Sequence, residues 1–145
     1  MKIKYSRLIV LSSGFLFILD QFLKHLFRTN TNFVSYVWEP YIGWQYFGNV
    51  GIAFGIPFPN WILIILTPLI LLLLLSFYYK KKPSYLVIFG LYLIYTGALS
   101  NLVDRSLYEV TIDYFRIYTS IINLADVYIV FGALLLIFNF KKKIC

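Results

Sequence analysis

Four long apolar runs divide this chain, and polar residues collect between them. The runs cover approximately residues 8–27, 61–79, 85–103 and 121–140. A helix needs about 20 consecutive apolar residues to cross the hydrocarbon core of a bilayer, and each run is close to that length. We therefore predict an all-α membrane protein with four transmembrane helices, which forms a single domain over residues 1–145.

The composition supports a membrane protein over a water-soluble one. Apolar residues make up 61% of the chain and charged residues only 13%. Soluble domains average about 45–50% apolar and about 25% charged residues. A soluble domain of this length could not bury so large an apolar fraction.

The basic residues indicate how the helices are oriented. Four crossings place the regions before the first run, between the second and third, and after the fourth on the same side of the membrane. The positive-inside rule makes that side the cytoplasm, with both termini there. A nucleic-acid-binding protein would spread its basic residues over one face, so we predict no nucleic-acid partner. The clusters are Lys2, Lys4 and Arg7; Lys80, Lys81 and Lys82; and Lys141, Lys142 and Lys143.

Two segments, residues 28–60 and 105–120, are predicted on the outer side. The longer one alternates aromatic residues with glycine and proline, which is typical of short strands and turns. We expect it to lie on the membrane surface as a small β-cradle. A plainer interpretation, that its aromatic residues only fix the depth of the protein in the bilayer, stays open.

Several polar residues are predicted at the outer ends of the helices. Asp20 and Lys24 are four residues apart and share one helix face, either as a structural ion pair or as a pair that orients a site. Asp113 lies on the shorter outer segment, and Asp126 lies near the start of the fourth run. These two carboxylates could share one pocket, although Asp126 could instead be a buried carboxylate satisfied by Arg105 and Asn123.

The residue types limit the chemistry. The single histidine, His25, has no serine at an evident elbow, and the single cysteine, Cys145, is a tail residue. We therefore predict no serine or cysteine mechanism, no metal site and no cofactor. Two close carboxylates that share a proton form the arrangement of aspartic proteases.

Five motifs, in this order and spacing, resemble the lipoprotein signal peptidase family, also called signal peptidase II. They are DQFLK at 20–24, NVGIAFG at 49–55, GALSNLVDR at 97–105, VTIDY at 110–114 and NLAD at 123–126.

The resemblance implies an intramembrane aspartyl endopeptidase of the bacterial cytoplasmic membrane, with its active site toward the outer leaflet. Its substrates would be prolipoproteins whose cysteine carries diacylglycerol, cut just before that cysteine. By motif, Asp113 and Asp126 would be the catalytic pair. The residues that orient the site or bind substrate would be Asp20, Lys24, Asn49, Gly51, Asn101, Asp104, Arg105 and Asn123.

Within that set the resemblance makes Asp104 structural and lets Asn49 hold the outer segment near the substrate. Ser100 and Tyr114 stand where the family usually has glycine and phenylalanine, and Ser100 could alter close helix packing. We expect a monomer in contact with membrane lipid. The alternative is a protein without enzymatic activity: a small transporter that uses buried carboxylates, or an assembly factor that binds lipoproteins.

Overall fold

The computed structural model describes residues 3–52, 55–79 and 83–141. Cys145 and most of the basic residues in the predicted clusters lie outside these ranges. Within them the chain forms α1 (Ile3–Thr29), β1 (Val34–Trp38), β2 (Ile42–Asn49), α2 (Asn60–Tyr79), α3 (Tyr85–Tyr108), β3 (Thr111–Ile117), β4 (Ser120–Ile122) and α4 (Leu124–Lys141).

The outer boundaries of α3 and α4 differ from the prediction. Helix α3 continues past residue 103 to Tyr108 and is capped by Glu109, whose φ of 62° is left-handed. The polar side chain of Asp104 does not end the helix because it is buried among polar partners. Helix α4 begins at Leu124 and not at 121, since residues 120–122 form β4.

The surfaces of the helices are apolar. Two helical stretches, Arg7–Thr29 and Tyr85–Tyr108, are long and apolar enough to cross a membrane, judged by length and composition. The apolar stretches of the other two helices, Asn60–Ser76 and Leu124–Asn139, are shorter. Large apolar side chains face outward along α2, such as Leu72 at 63% exposed. Such a surface suits lipid better than water. That all four helices cross the membrane remains a prediction.

The strands form one antiparallel sheet in the order β1-β2-β3-β4. Strands β1 and β2 come from the longer outer segment, which confirms the strands predicted there. Strand β3 comes from the shorter segment, whereas β4 consists of the last residue of that segment and the first two residues of the predicted fourth run. The sequence predicted no strand in either place. Asp113 therefore lies in a strand, and the β2–β3 register pairs Phe47 with Asp113 and Asn49 with Thr111.

Helices α3 and α4 pack closely because small residues face each other. A Cβ atom on Gly132 would lie 2.5 Å from the carbonyl oxygen of Gly90, and one on Gly97 would meet the carbonyl oxygen of Ala125. This approach of two backbones is the usual role of small residues between membrane helices. The buried apolar core lies alongside and consists of Leu71, Val87, Leu91, Ile94 and Leu136.

Substitution of Gly132 tests this packing. Gly132→Ala is expected to destabilise the fold by about 1–3 kcal/mol, because neither backbone can yield easily. Gly14→Ala is the matched control, since a Cβ there would meet nothing within 4 Å and alanine favours a helix over glycine. Thermal unfolding in detergent measures both. Equal unfolding midpoints for the two variants would contradict close packing at Gly132.

Candidate active site

The Asp113 carboxylate is buried between two side-chain amides. Asp113 is 1% exposed. Asn123 Nδ2 donates to its Oδ1 at 2.6 Å, and Asn49 Nδ2 donates to its Oδ2 at 3.0 Å. Pairing of β2 with β3 brings Asn49 to this position, so the amide contacts the carboxylate directly.

Asp126 is held in the first turn of α4 by a reciprocal cap. The side-chain oxygen of Asn123 accepts from the Asp126 backbone N–H at 2.9 Å, and Asp126 Oδ2 accepts from the Asn123 backbone N–H at 3.4 Å. This arrangement satisfies the backbone donors that every helix start exposes. Asn101 Nδ2 on α3 donates to the other carboxylate oxygen at 3.0 Å.

Asn123 contacts both predicted catalytic aspartates. Its side chain donates to the Asp113 carboxylate and accepts from the backbone N–H of Asp126, and its own backbone N–H donates to the Asp126 carboxylate. The two aspartates come from different elements, β3 and α4, and the structure brings both of them to this one residue.

The surroundings of Asp113 favour its protonated form. Burial, and then the charge of Asp126, raise the pKa of Asp113 to about 7, against the opposing effects of the two amides and of Lys24. An unfolded aspartate has a pKa of about 3.9. The folded protein thus holds this proton more tightly than the unfolded chain does. The contribution of Asp113 to stability falls as the pH rises from about 4 through the folded pKa of about 7.

A buried ion triad lies close to the two aspartates. Lys24 Nζ is 3.0 Å from Asp20 and 2.9 Å from Asp104, and all three side chains are at most 1% exposed. The predicted pair of Asp20 and Lys24 is thus present. Asp104 forms its ion pair with Lys24 and not with its neighbour in the chain, Arg105, which makes no ion pair among the described residues.

The triad is linked to both aspartates. Lys24 donates to Asn101 Oδ1 at 2.8 Å, and the amide nitrogen of Asn101 donates to Asp126. Asp104 accepts from the backbone N–H of Ile112 at 3.1 Å, directly before Asp113. Hydrogen bonds therefore connect the triad, whose members lie on α1 and α3, to α4 and β3.

The other predicted residues lie around this centre. Gly51 donates its backbone N–H to Asn49 Oδ1 at 2.9 Å, and a Cβ at Gly51 would meet the carbonyl oxygen of Ile56. The charges of Asp126, Asp113 and Asp104 act on the Arg105 guanidinium. Amides, and not Arg105, are the direct partners of Asp126.

Sequence reasoning missed the hydrogen-bonding roles of three residues. Ser100 donates to Asp20 at 2.6 Å and accepts from Gln21 at 2.8 Å. Tyr114 donates to Asp20 at 2.9 Å. Gln21, Ser100 and Tyr114 lie within the DQFLK, GALSNLVDR and VTIDY motifs, and the sequence marked Ser100 and Tyr114 only as departures from the family pattern. In residues 3–52, 55–79 and 83–141 no three His, Cys, Asp or Glu side chains are grouped as metal ligands.

Fold and site together define a membrane protein whose polar centre is built from carboxylates and amides. Comparisons with known proteins name its family. Residues 12–142 match the profile of the family described as Signal peptidase (SPase) II. The chain belongs to the signal peptidase II family and is therefore a peptidase.

Curated relatives agree with this assignment. The chain is 34% identical to the lipoprotein signal peptidase of Mesorhizobium japonicum over 130 residues, which cover 83% of this chain and 77% of that protein. It is 43% identical to the lipoprotein signal peptidase of Halothermothrix orenii over 95 residues, covering 63% and 65% of the two chains. These names do not favour the transporter or the assembly factor.

A solved structure shares the fold. The structure described as "Bacterial membrane enzyme structure by the in meso method at 2.3 A resolution" superimposes with a TM-score of 0.85 and 26% sequence identity. The match covers 98% of this chain and 90% of that one. The membrane character expected from the composition agrees with this similarity.

Proposed function

We propose that this protein removes the signal peptide from prolipoproteins by cutting just before a cysteine that carries diacylglycerol. The single observation that supports it most is the junction of Asp113 and Asp126 at Asn123. The names of the curated relatives supply the substrate class.

The two carboxylates suit peptide hydrolysis when they share one proton. Burial, and then the charge of Asp126, raise the pKa of Asp113 to about 7, so the two carboxylates do not both ionise readily. The ionised carboxylate takes a proton from water, and the resulting hydroxide adds to the scissile carbonyl carbon. The protonated carboxyl donates a hydrogen bond to the carbonyl oxygen.

Collapse of the tetrahedral intermediate completes the reaction. The carbon–nitrogen bond breaks, and the amine of the lipidated cysteine leaves with a proton taken from the carboxyl pair. The new carboxyl group on the signal peptide keeps the hydrogen of the added hydroxide and then loses it to the released amine or to water, which leaves a carboxylate. One proton is again left on the pair, so the site returns to its starting state.

Three side-chain amides hold the two carboxylates in place. Asn49 and Asn123 hold Asp113, and Asn101 holds Asp126 while it accepts from Lys24. Each amide fixes the direction of a carboxylate oxygen without adding a charge. Asp20, Lys24 and Asp104 then brace these side chains, and Gly51 and Arg105 complete the surroundings.

In the proposed membrane placement four helices cross the bilayer, both termini face the cytoplasm and the sheet lies at the outer surface. The basic clusters support this orientation through the positive-inside rule. The site is then near the outer leaflet, where the diacylglyceryl chains of a prolipoprotein also lie. The single domain, acting as a monomer, contains the whole site and needs no cofactor.

A paired cleavage assay tests this function. Wild-type protein in liposomes is given one prolipoprotein in two forms, with and without diacylglycerol on its cysteine, and mass spectrometry identifies the products. We expect cleavage only of the modified form, immediately before the lipidated cysteine. Equal cleavage of both forms, cleavage elsewhere, or no cleavage by folded protein would contradict the proposal.

A further inference from the structure

Tyr114 follows Asp113 in the chain and is buried on the opposite face of β3. Its side chain is 1% exposed, and its ring stacks on Phe27 and Trp44 with centroid separations of 5.2 and 6.4 Å. Successive side chains of a strand point to opposite faces. The stacked ring therefore fixes the hydroxyl on the side of β3 away from the Asp113 carboxylate.

The hydroxyl joins three elements. It donates to Asp20 Oδ1 on α1 at 2.9 Å and accepts from the backbone N–H of Leu124, the first residue of α4, at 3.0 Å. The same oxygen of Asp20 accepts from the backbone N–H of Ala125 at 3.3 Å. Tyr114 and Asp20 together therefore satisfy the two leading backbone donors of α4, where a negative charge is also favourable.

Strand β3 is consequently fastened to the start of α4 on both faces. On one face Asp113 accepts from the side chain of Asn123, and on the other Tyr114 accepts from the backbone of Leu124. The two contacts involve consecutive residues on each element. Backbone pairing with β2 and β4 already holds the edges of β3 in the sheet. The two opposed contacts then fix the strand relative to the start of α4.

We propose that Tyr114 is a positioning residue for peptide cleavage, whose hydroxyl fixes the strand carrying Asp113 against the helix carrying Asp126. The inference rests on the proposed function, because the reaction that it supports is the cleavage assigned above. The hydroxyl is suited to this task since burial and the charge of Asp20 raise the pKa of Tyr114. The Tyr114 hydroxyl therefore stays protonated, and remains a neutral donor, over the pH range in which the enzyme would act.

Tyr114→Phe removes the hydroxyl and keeps the ring. We expect kcat for the diacylglyceryl-modified prolipoprotein to fall about tenfold with KM unchanged, because positioning changes of this kind act on the chemical step. Wild-type activity should fall at high pH as Asp113 loses its proton. In Tyr114→Phe this fall should occur at a lower pH, because carboxylates that are held less closely repel each other less, which lowers the pKa of Asp113. The charged groups that act on Asp113, and therefore on the pH at which activity falls, are Asp126, Lys24 and Arg105.

Tyr128→Phe is the matched control. The Tyr128 hydroxyl is buried on α4 and has no hydrogen-bond partner among the described residues, so its removal should leave kcat and the pH profile unchanged. A purely structural role of Tyr114 would lower the yield of folded protein without altering kcat per folded molecule or the pH profile.

Amide hydrogen exchange gives a measurement that does not depend on activity. Tyr114→Phe leaves the Leu124 N–H without its acceptor, so peptides spanning the start of α4 should exchange faster than in wild type and in Tyr128→Phe. If Tyr114→Phe protein does not accumulate, a variant with para-aminophenylalanine at position 114 is used instead. Its amino group is a donor of similar size to the hydroxyl, so kcat is expected within about threefold of wild type.

The outcomes separate the two proposals. Wild-type protein that cuts no lipidated substrate contradicts the proposed function. Wild-type protein that cuts, alongside a Tyr114→Phe variant with unchanged kcat, pH profile and exchange, overturns the role of Tyr114 alone. The role of Tyr114 is also overturned if the protein with para-aminophenylalanine at position 114 loses kcat while amide exchange at the start of α4 stays as in wild type.

Discussion

Asp113→Asn and Asp126→Asn are each expected to lower the rate of prolipoprotein cleavage by about 10²- to 10⁴-fold, the usual contribution of general acid–base groups. Asparagine has nearly the same shape as aspartate but cannot take a proton from water. The fold should survive, because asparagine keeps one oxygen that can accept from one of the amide donors, and because it removes the repulsion between two buried carboxylates. Single-turnover cleavage in liposomes, normalised to folded protein, measures the loss.

Asp104→Asn is the control for this pair. Asp104 is equally buried but binds Lys24 and the backbone of Ile112, so its replacement should lower yield or stability rather than the rate per folded molecule. Normal accumulation of an inactive Asp104→Asn protein, beside an active Asp113→Asn protein, would show that the roles are reversed.

Lys24→Met is expected to cause the largest loss of stability. Lys24 lies between Asp20 and Asp104 at 3.0 and 2.9 Å, in a site where the side chains are at most 1% exposed. Methionine has a similar length and no charge, so two buried carboxylates would lose their cation. Breaking a buried ion pair in this way costs about 3–5 kcal/mol. We expect little folded protein, measured by yield and by unfolding in detergent.

His25→Ala separates this effect from a general sensitivity of α1. His25 is the next residue along the helix, is exposed, and hydrogen-bonds to Arg28 through its ring. Its replacement should leave stability nearly unchanged. A Lys24→Met protein as stable as His25→Ala would mean that the triad does not hold the helices together.

The helices could be predicted from the sequence because apolar runs of membrane length are a strong signal. Their polar ends were harder to predict. Asp104 looked like the end of the third helix, yet its carboxylate finds Lys24 and the helix continues to Tyr108. Strand β4 has three residues and gives no periodicity to detect, so the start of α4 was placed too early.

Much of the site could also be predicted by residue type. A carboxylate or lysine within an apolar run is costly, so Asp20 and Lys24 needed a reason to be there. Their partners could not be predicted in full, because Ser100 and Tyr114 are hydroxyl residues that occur in membrane helices and strands without functional meaning. Only the fold places both hydroxyls on Asp20. The same holds for Asn123, whose link between the two aspartates depends on where α4 begins.

The most direct test of the central claim is the protonation state of the two aspartates, measured by difference infrared spectroscopy of folded protein across a pH titration. The account predicts one protonated carboxyl that ionises near pH 7, that is absent in Asp113→Asn, and that ionises at lower pH in Asp126→Asn because the neighbouring charge is gone. A carboxyl signal that persists unchanged in Asp113→Asn, or no protonated carboxyl just below pH 7 in wild type, would contradict it.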